Sequence, residues 1–232
     1  MKEIENLDWK QHHNSIQEKG FAHIPSVLSQ DECTALRDLY DQPGIYRSVI
    51  NMQRYRFGKG EYKYFSYPLP ELIESLRKKL YQQLAPLANS WMTQLNIDMK
   101  YPPNHADLIE VCKSKDQIRP TPLILKYTTG GFNTLHQDLY GDVYFPFQIV
   151  FVLTQQDQDH TGGEFVMIEQ IPRAQSRAEV ITPNQGDAVI FTTNFRPVKG
   201  ARGYYRATMK HGVSEVKSGE RFSLGIIFHD AG

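Results

Sequence analysis

His136 and Asp138 stand one residue apart at the end of an apolar run, in the stretch Tyr127-Thr128-Thr129-Gly130-Gly131-Phe132-Asn133-Thr134-Leu135-His136-Gln137-Asp138. In an extended chain successive side chains alternate faces, so this imidazole and this carboxylate point the same way and make half of a metal site. A third ligand must come from elsewhere, and most histidines are poor candidates. His12 and His13 are neighbours on a helix-patterned segment, diverge by about 100°, and read as surface residues. His105 falls in a proline-rich stretch and is expected to be exposed. His160 closes the polar run Gln155-Gln156-Asp157-Gln158-Asp159-His160 and reads as solvated, and His229 ends the last strand in a structural role. His211 differs because it sits mid-strand in Ala207-Thr208-Met209-Lys210-His211-Gly212-Val213. Two histidines and one carboxylate with other positions left open form the facial triad that suits a reactive rather than a structural metal, as in non-haem Fe(II) sites.

Val216-Lys217-Ser218-Gly219-Glu220 reads as a three-residue hairpin with Gly219 in the left-handed position. That register pairs Val216 with Glu220 and puts His211, Val213 and Glu215 on the same face as Arg221, Ser223 and Gly225. Arg221 would then line the metal cavity, where a guanidinium can clasp a carboxylate bidentately and the Ser223 hydroxyl can assist. The alternative is an ion pair between Arg221 and Glu215 across the hairpin.

The elements that must position these groups divide the chain in two. A length of 232 residues suits one domain able to bury a real core. Residues 1–118 read as a helical support and 119–232 as a β-rich core. Residues 5–19 are weakly amphipathic and stop at Gly20, and Phe21 to Leu28 alternates as a strand. Ser29-Gln30-Asp31-Glu32 is a capping box opening a helix to about Tyr40. The insert 42–66 interleaves Arg47, Arg54, Arg56, Lys59 and Lys63 with Tyr46, Tyr55, Phe57, Tyr62, Tyr64 and Phe65. It reads as a long loop pinned by its aromatics, and as a candidate lid. Pro70 opens a helix to about Ala85, which Pro86 should kink or restart through Trp91 and Leu95. Residues 101–120 read as a crossing loop. From Pro122 onward strands follow one another with no helix-length segment between them, which indicates an antiparallel barrel or sandwich. Residues 145–155 form a nearly continuous apolar run, as a strand buried on both faces would.

Taken together these residues resemble the Fe(II)/2-oxoglutarate-dependent dioxygenase superfamily, in its prolyl-hydroxylase-like branch. The resemblance rests on Tyr127-x-x-Gly130, His136-x-Asp138, Gly162-Gly163-Glu164, His211 and Arg221-x-Ser223, and covers roughly residues 20–41 and 120–230. The layout as a whole, Arg54-Tyr55-Arg56-Phe57-Gly58 included, is similar to a bacterial group of such oxygenases linked by analogy to demethylation of damaged nucleic acid. The resemblance implies an α+β, mainly β fold, with a double-stranded β-helix (jelly-roll) core and N-terminal supporting helices. It implies that His136, Asp138 and His211 bind Fe(II), and that Arg221, with Ser223 and Tyr127, holds the far carboxylate of 2-oxoglutarate. With O2 these cofactors would hydroxylate a C–H bond of a substrate. One departure is that several prolyl hydroxylases carry a tyrosine in the strand after His-x-Asp, where this chain reads Ile149-Val150-Phe151-Val152-Leu153.

The substrate stays open between a protein or peptide side chain, a small molecule and single-stranded nucleic acid. The insert and the run Arg196 to Arg206 combine cations with aromatics, as a single strand would require. Against this, 26 basic and 26 acidic residues leave no net charge for gripping a duplex. A non-catalytic cupin-like metal-binding module is the other reading, although cupins usually show a His-x-His pair and a later Glu that this chain lacks. Cys33 and Cys112 read as free buried thiols. With no signal-peptide pattern and no membrane-length apolar stretch, the expected location is cytoplasmic.

Overall fold

The N-terminal helical pattern and the later strand pattern both appear in the computed structural model, which describes residues 2–139 and 141–232. Asp8 caps α1 (Trp9–Lys19), and Gly20 ends it in the left-handed conformation, φ 81°. β1 (Phe21–Ile24) follows, and Ser29 and Glu32 form the expected capping box on α2 (Gln30–Asp38). Next come β2 (Tyr46–Asn51), β3 (Gly58–Lys59) and β4 (Glu61–Phe65), then α3 (Glu71–Gln94) and α4 (His105–Lys113). The remaining elements are β5 (Leu123–Thr128), β6 (Phe132–His136), β7 (Phe147–Val152), β8 (His160–Gly162) and β9 (Phe165–Gln170). They end with β10 (Arg177–Ile181), β11 (Ala188–Thr192), β12 (Phe195–Gly200), β13 (Gly203–Val213) and β14 (Val216–Ile227).

The strands form two sheets. The larger has the order β1-β11-β7-β14-β5-β4-β2, with β8 on β14; the smaller runs β10-β9-β13-β6-β3, with β12 on β13. This is the expected α+β, mainly β jelly roll with helices on one side. Period-two alternation decides what each face of the larger sheet meets. Phe147, Ile149 and Phe151 point outward and share one apolar cluster with Leu80, Tyr81, Leu84 and Trp91 of α3. The Trp91 and Phe147 rings meet edge to face at 4.7 Å. Val150 points inward and packs with Phe165, Met167 and Met209 of the smaller sheet. Each such large side chain contributes about 1.5–3 kcal/mol on burial, so the outer layer anchors the sheet while the inner layer leaves room for a cavity.

Several expectations are corrected. α3 runs through Pro86 without stopping. Leu84, Ala85, Leu87, Ala88 and Trp91 are buried on both sides of it, and that packing offsets the roughly 3 kcal/mol cost of an interior proline. The stretch 101–120 holds α4 rather than only a loop. Its His105 is buried and donates from Nε2 to the Phe228 carbonyl at 2.8 Å. The insert is built of strands: β4 pairs with β5 in the larger sheet and β3 pairs with β6 in the smaller, so it ties the sheets together along one side. Glu61-Tyr62-Lys63-Tyr64 alternates as a strand should, with Tyr62 and Tyr64 turned inward onto the cavity. Finally, β13 and β14 form no hairpin. β13 pairs with β6, β9 and β12, whereas β14 pairs with β5, β7 and β8, so the chain changes sheets between Val213 and Val216.

Candidate active site

β6 and β13 run side by side, and their register sets His136 directly opposite His211. The two rings lie 4.2 Å apart, centre to centre. Asp138, two residues beyond His136, places Oδ1 3.4 Å from His136 Nε2 and Oδ2 3.3 Å from His211 Nε2. One ligand atom from each of the three lies within 4.8 Å of the others, the one such group of histidine, cysteine and acidic side chains among the described residues. Ligands about 2.0–2.2 Å from one ion sit roughly 3 Å from each other, so this spacing suits a single metal ion. The His136 Nδ1–H donates to the Thr134 carbonyl at 2.7 Å, which leaves Nε2 as the lone-pair nitrogen facing the group. His211 packs against Phe191 and Phe165 at 4.5 and 5.9 Å.

Electrostatics fit a cation site. Burial opposes ionisation of Asp138, but the imidazoles of His136 and His211 beside it hold its carboxyl well below the usual range. Burial pushes the His211 imidazole down against the pull of Asp138, whereas for His136 burial is outweighed by Asp138 and the Thr134 and His211 backbone together, which raise it.

The triad opens into a cavity of about 240 Å³ between the sheets. Arg221, Ser223 and Tyr127 line it, as do Tyr62, Tyr64, Asn133, Gln137 and Gln148. Arg221 is 1% exposed, and its Nη1 reaches the Ser223 hydroxyl at 3.2 Å. Its Nη2 and the Tyr127 hydroxyl are buried and have no hydrogen-bond partner. Burial pushes the Arg221 guanidinium down and the Tyr127 phenol up to about 12, the latter partly offset by Arg221. A buried guanidinium without an anion is costly, and Arg221 lines the cavity with a donor unmet. Glu215 is exposed and makes no ion pair with Arg221 among the described residues. Arg221 thus faces the cavity although the expected hairpin does not exist, because β13 and β14 lie in opposite sheets whose inner faces share that cavity.

The Gly-Gly-Glu motif has a spatial reason. Gly163 has φ 72°, and a Cβ there would come within 2.7 Å of Arg221 Cδ, so glycine leaves room for the arginine stem. Glu164 accepts from the Ser214 hydroxyl instead of pairing with Arg221. His160, expected in solvent, is 4% exposed on β8, whose pairing with β14 draws it inside.

Most cations of the two basic stretches are already engaged. Arg47 donates to the Pro120 carbonyl and lies over the Tyr64 ring, and Lys63 donates to the Tyr40 carbonyl and lies over that ring. Lys59 donates to the Thr129 carbonyl. Arg196 pairs with Glu169 at 2.6 Å and Arg206 covers Phe195. The run 196–206 forms the β12–β13 hairpin, and none of it lines the cavity. At the cavity itself stands Phe57, 46% exposed and stacked on Tyr55 at 5.6 Å, with Arg54 and Arg56 exposed beside them.

Sequence reasoning missed Gln148, Asn133 and Gln137 as lining groups. A polar residue inside a run buried on both faces was the one available signal, and it applied only to Gln148.

Residues 60–231 match the family model Oxygenase-NA, described as an oxygenase catalysing oxidative methylation of damaged DNA. Proteins described as uncharacterised from two strains of Mycobacterium tuberculosis are 44% identical over 167 residues, 72% of this chain and 72% of each relative. The fold is similar to that of a Pseudomonas putida prolyl-4-hydroxylase, with TM-score 0.59, 15% identity, and 97% of this chain and 100% of that one covered. It is similar also to an oxidoreductase of the 2OG-Fe(II) oxygenase family from Burkholderia pseudomallei, with TM-score 0.56, 13% identity, and coverage of 98% and 94%. Among the described residues no helix is long and apolar enough to cross a membrane.

Proposed function

This chain belongs to the Oxygenase-NA family of oxygenases, and from that premise we propose that it removes methyl groups from damaged nucleic-acid bases as an Fe(II)- and 2-oxoglutarate-dependent dioxygenase. The observation that carries the reading is a single cavity with a converging His-Asp-His group on one sheet and an unpaired buried guanidinium on the other. His136 Nε2, His211 Nε2 and a carboxylate oxygen of Asp138 hold the iron. Arg221 binds the far carboxylate of 2-oxoglutarate, Ser223 steadies the guanidinium, and the Tyr127 hydroxyl donates a further hydrogen bond. When bound, iron and 2-oxoglutarate supply the oxidation of a C–H bond by O2, with succinate and carbon dioxide as coproducts.

Oxidation at carbon takes a methyl group off rather than putting one on. A hydroxylated N-methyl group is a hemiaminal, which loses formaldehyde and restores the base. The chain's own part is to bind, orient and exclude water. Leu123, Leu125, Val150 and Ile227 keep the cavity apolar, and the roof built from β3 and β4 closes its side. Stacked Tyr55 and Phe57, with Arg54 and Arg56, offer a flanking base an aromatic platform and two cations. So few free charges suit a single strand or an extruded base better than a duplex. A peptide side chain or small molecule would need neither platform nor cations. Residues 1–232 act as one oxygenase domain in this reading, with β1 as an edge strand of the larger sheet.

Anaerobic titration with Fe(II) and 2-oxoglutarate should produce the weak visible absorption of the chelate, and His211→Ala should abolish it. Under air, formaldehyde should appear from an N-methylated single strand. Absence of the absorption band in the wild type would sink the oxygenase reading. A band without formaldehyde, but with succinate released on adding a peptide, would move the substrate to protein.

A further inference from the structure

The three groups of the site are not held in the same way. His211 stands within β13, paired with Met167 of β9 on one side and with His136 of β6 on the other. Registered pairing on both sides fixes where its side chain points. His136 shares that pairing, and its ring is tied to its own strand through the bond from Nδ1 to the Thr134 carbonyl at 2.7 Å. Asp138 lies past the end of β6, whose last registered pair with β13 is His136 opposite His211. Even so, each of its carboxylate oxygens sits within 3.4 Å of an imidazole nitrogen. Something other than the ladder must hold this turn against β13.

Gln137 does so with its side chain. Its Nε2 donates to the Asn194 carbonyl at 2.8 Å, to Asn194 Oδ1 at 2.8 Å and to the Met209 carbonyl at 2.9 Å. Two amide hydrogens thus serve three acceptors, on β13 and on the turn between β11 and β12. The acceptors are themselves fixed. The Met209 amide donates to the Asn194 carbonyl at 2.7 Å, and the Thr192 hydroxyl closes the turn on the Phe195 carbonyl at 2.6 Å. Met209 precedes His211 by two residues on β13, so the carboxamide ties the residue between His136 and Asp138 to the strand that carries His211. Two of the three acceptors are backbone carbonyls, which cannot turn over to become donors. The position therefore calls for a donor of this reach. Glutamate has the same shape but would set a charge against those carbonyls.

We infer that Gln137 is a positioning residue for the metal centre: its carboxamide takes the place of the ladder beyond His136 and holds the Asp138 carboxylate against the two imidazoles, where all three can share one ion. The inference rests on the metal-site reading and adds the part of the chain that shapes the site. Loss of the clamp leaves both imidazoles held by the ladder and frees the one anionic ligand. Metal affinity should then suffer through Asp138, and not through the fold as a whole.

The test is Mn(II) binding to the metal-free protein by titration calorimetry, well below the melting temperature. Wild type should bind a single ion. Gln137→Met, which keeps the length and removes the amide, should bind on the order of 10- to 100-fold more weakly. Gln137→Glu should be weaker still, because its carboxylate repels the two carbonyls. Asn194→Ala removes one acceptor and leaves both carbonyls, so its loss should be the smallest. A melting scan of each metal-free variant first shows that it folds, and Asn194→Ala, which disturbs least, carries the test if the others do not. Crossing Gln137→Met with Asp138→Asn supplies a readout that a merely structural residue would not move. Gln137→Met should cost clearly less in the Asp138→Asn background than it does alone. Wild-type affinity in every variant that folds would overturn the inference, whatever the melting temperatures. An equal fold-loss in both backgrounds would overturn it too, because Gln137 would then not act through Asp138. Failure of the wild type to bind Mn(II) refutes instead the metal-site reading beneath it, so the two failures are told apart.

Discussion

Two arginines are buried among the described residues, and their surroundings are opposite. Arg77 of α3 has all three guanidinium nitrogens engaged. Nε donates to the Ile227 carbonyl at 2.8 Å, Nη1 to the Tyr67 hydroxyl at 3.0 Å, and Nη2 to the Phe228 carbonyl at 3.0 Å and Asp230 Oδ1 at 2.7 Å. Tyr67 in turn donates to Asp230 Oδ2 at 2.8 Å. Arg221 has one hydroxyl at 3.2 Å, and its Nη2 has no partner. The first network closes on itself and fastens α3 to the end of the last strand. The second stops at a cavity wall. Buried charge is therefore handled in two ways here: where the protein supplies the anion the arginine holds the fold, and where it does not the guanidinium is left with a donor unmet, the vacancy that our proposal assigns to 2-oxoglutarate.

The comparison breaks most sharply on matched substitutions. Arg77→Met leaves the Asp230 carboxylate buried without its cation, which should cost about 3–5 kcal/mol of folding stability. Urea unfolding would read this as a lower midpoint with little change in slope. Arg221→Met removes a cation that has no anion, so stability should stay within about 1 kcal/mol of wild type or rise. Its effect should appear instead in 2-oxoglutarate affinity, as a loss of about 2–4 kcal/mol or on the order of 30- to 1000-fold. If Arg221→Met unfolds the protein as readily as Arg77→Met does, the distinction is false and Arg221 is structural.

The same contrast explains what could be read from the chain. His136, Asp138 and His211 were legible because alternation in a strand fixes which side chains share a face, and two nearby residues suffice to show it. Arg221 was placed on the cavity wall through a hairpin that does not exist. Both the hairpin and the actual change of sheet turn it inward, so the conclusion survived a wrong path. The Arg77 network could not be read at all, because Tyr67, Arg77, Thr121 and Asp230 are distant in sequence and meet only after α3 lies on the sheet. His105 and His160 failed for the same reason: a proline-rich stretch around the first and a polar run before the second suggested solvent, while tertiary packing buries both. The insert was misjudged because its many charges obscured a clean alternation in Glu61 to Tyr64. Local periodicity was readable, and long-range closure was not.

The Arg77 region carries a second consequence, in acid. His105 donates to the Phe228 carbonyl that also accepts from Arg77, and His229 accepts at Nδ1 from the Phe145 amide at 3.0 Å. Burial first, and then the nearby Arg77, lower His105 to about 3 and His229 to about 4. Above the ordinary imidazole value both states of the chain carry neutral rings, and stability does not respond. Below about pH 6.5 the unfolded chain binds protons that the folded chain refuses, so stability falls with pH until about 4, by on the order of a few kcal/mol. His105→Asn, which keeps a donor but does not titrate, should flatten the decline of the urea midpoint between pH 6.5 and 4. A wild-type slope in that variant would remove His105 from the account.

The smallest and most discriminating test deletes one hydroxyl beside each arginine. Thr121 Oγ1 accepts from Arg77 Nη2 at 3.3 Å and lies within hydrogen-bonding distance of the His229 carbonyl. Ser223 Oγ accepts from Arg221 Nη1 at 3.2 Å. Each bond is worth about 0.5–1.5 kcal/mol, somewhat more where the donor is charged. Thr121→Val keeps the shape and should lower the melting temperature while leaving 2-oxoglutarate affinity alone. Ser223→Ala should do the reverse, because Arg221 already has unmet donors in the free protein. What that variant loses is the orientation of the guanidinium toward the incoming carboxylate, worth roughly fivefold in affinity at about 1 kcal/mol. Equal effects of the two deletions on melting would mean that Ser223 satisfies Arg221 within the fold. The cavity would then have no vacancy for a carboxylate to fill.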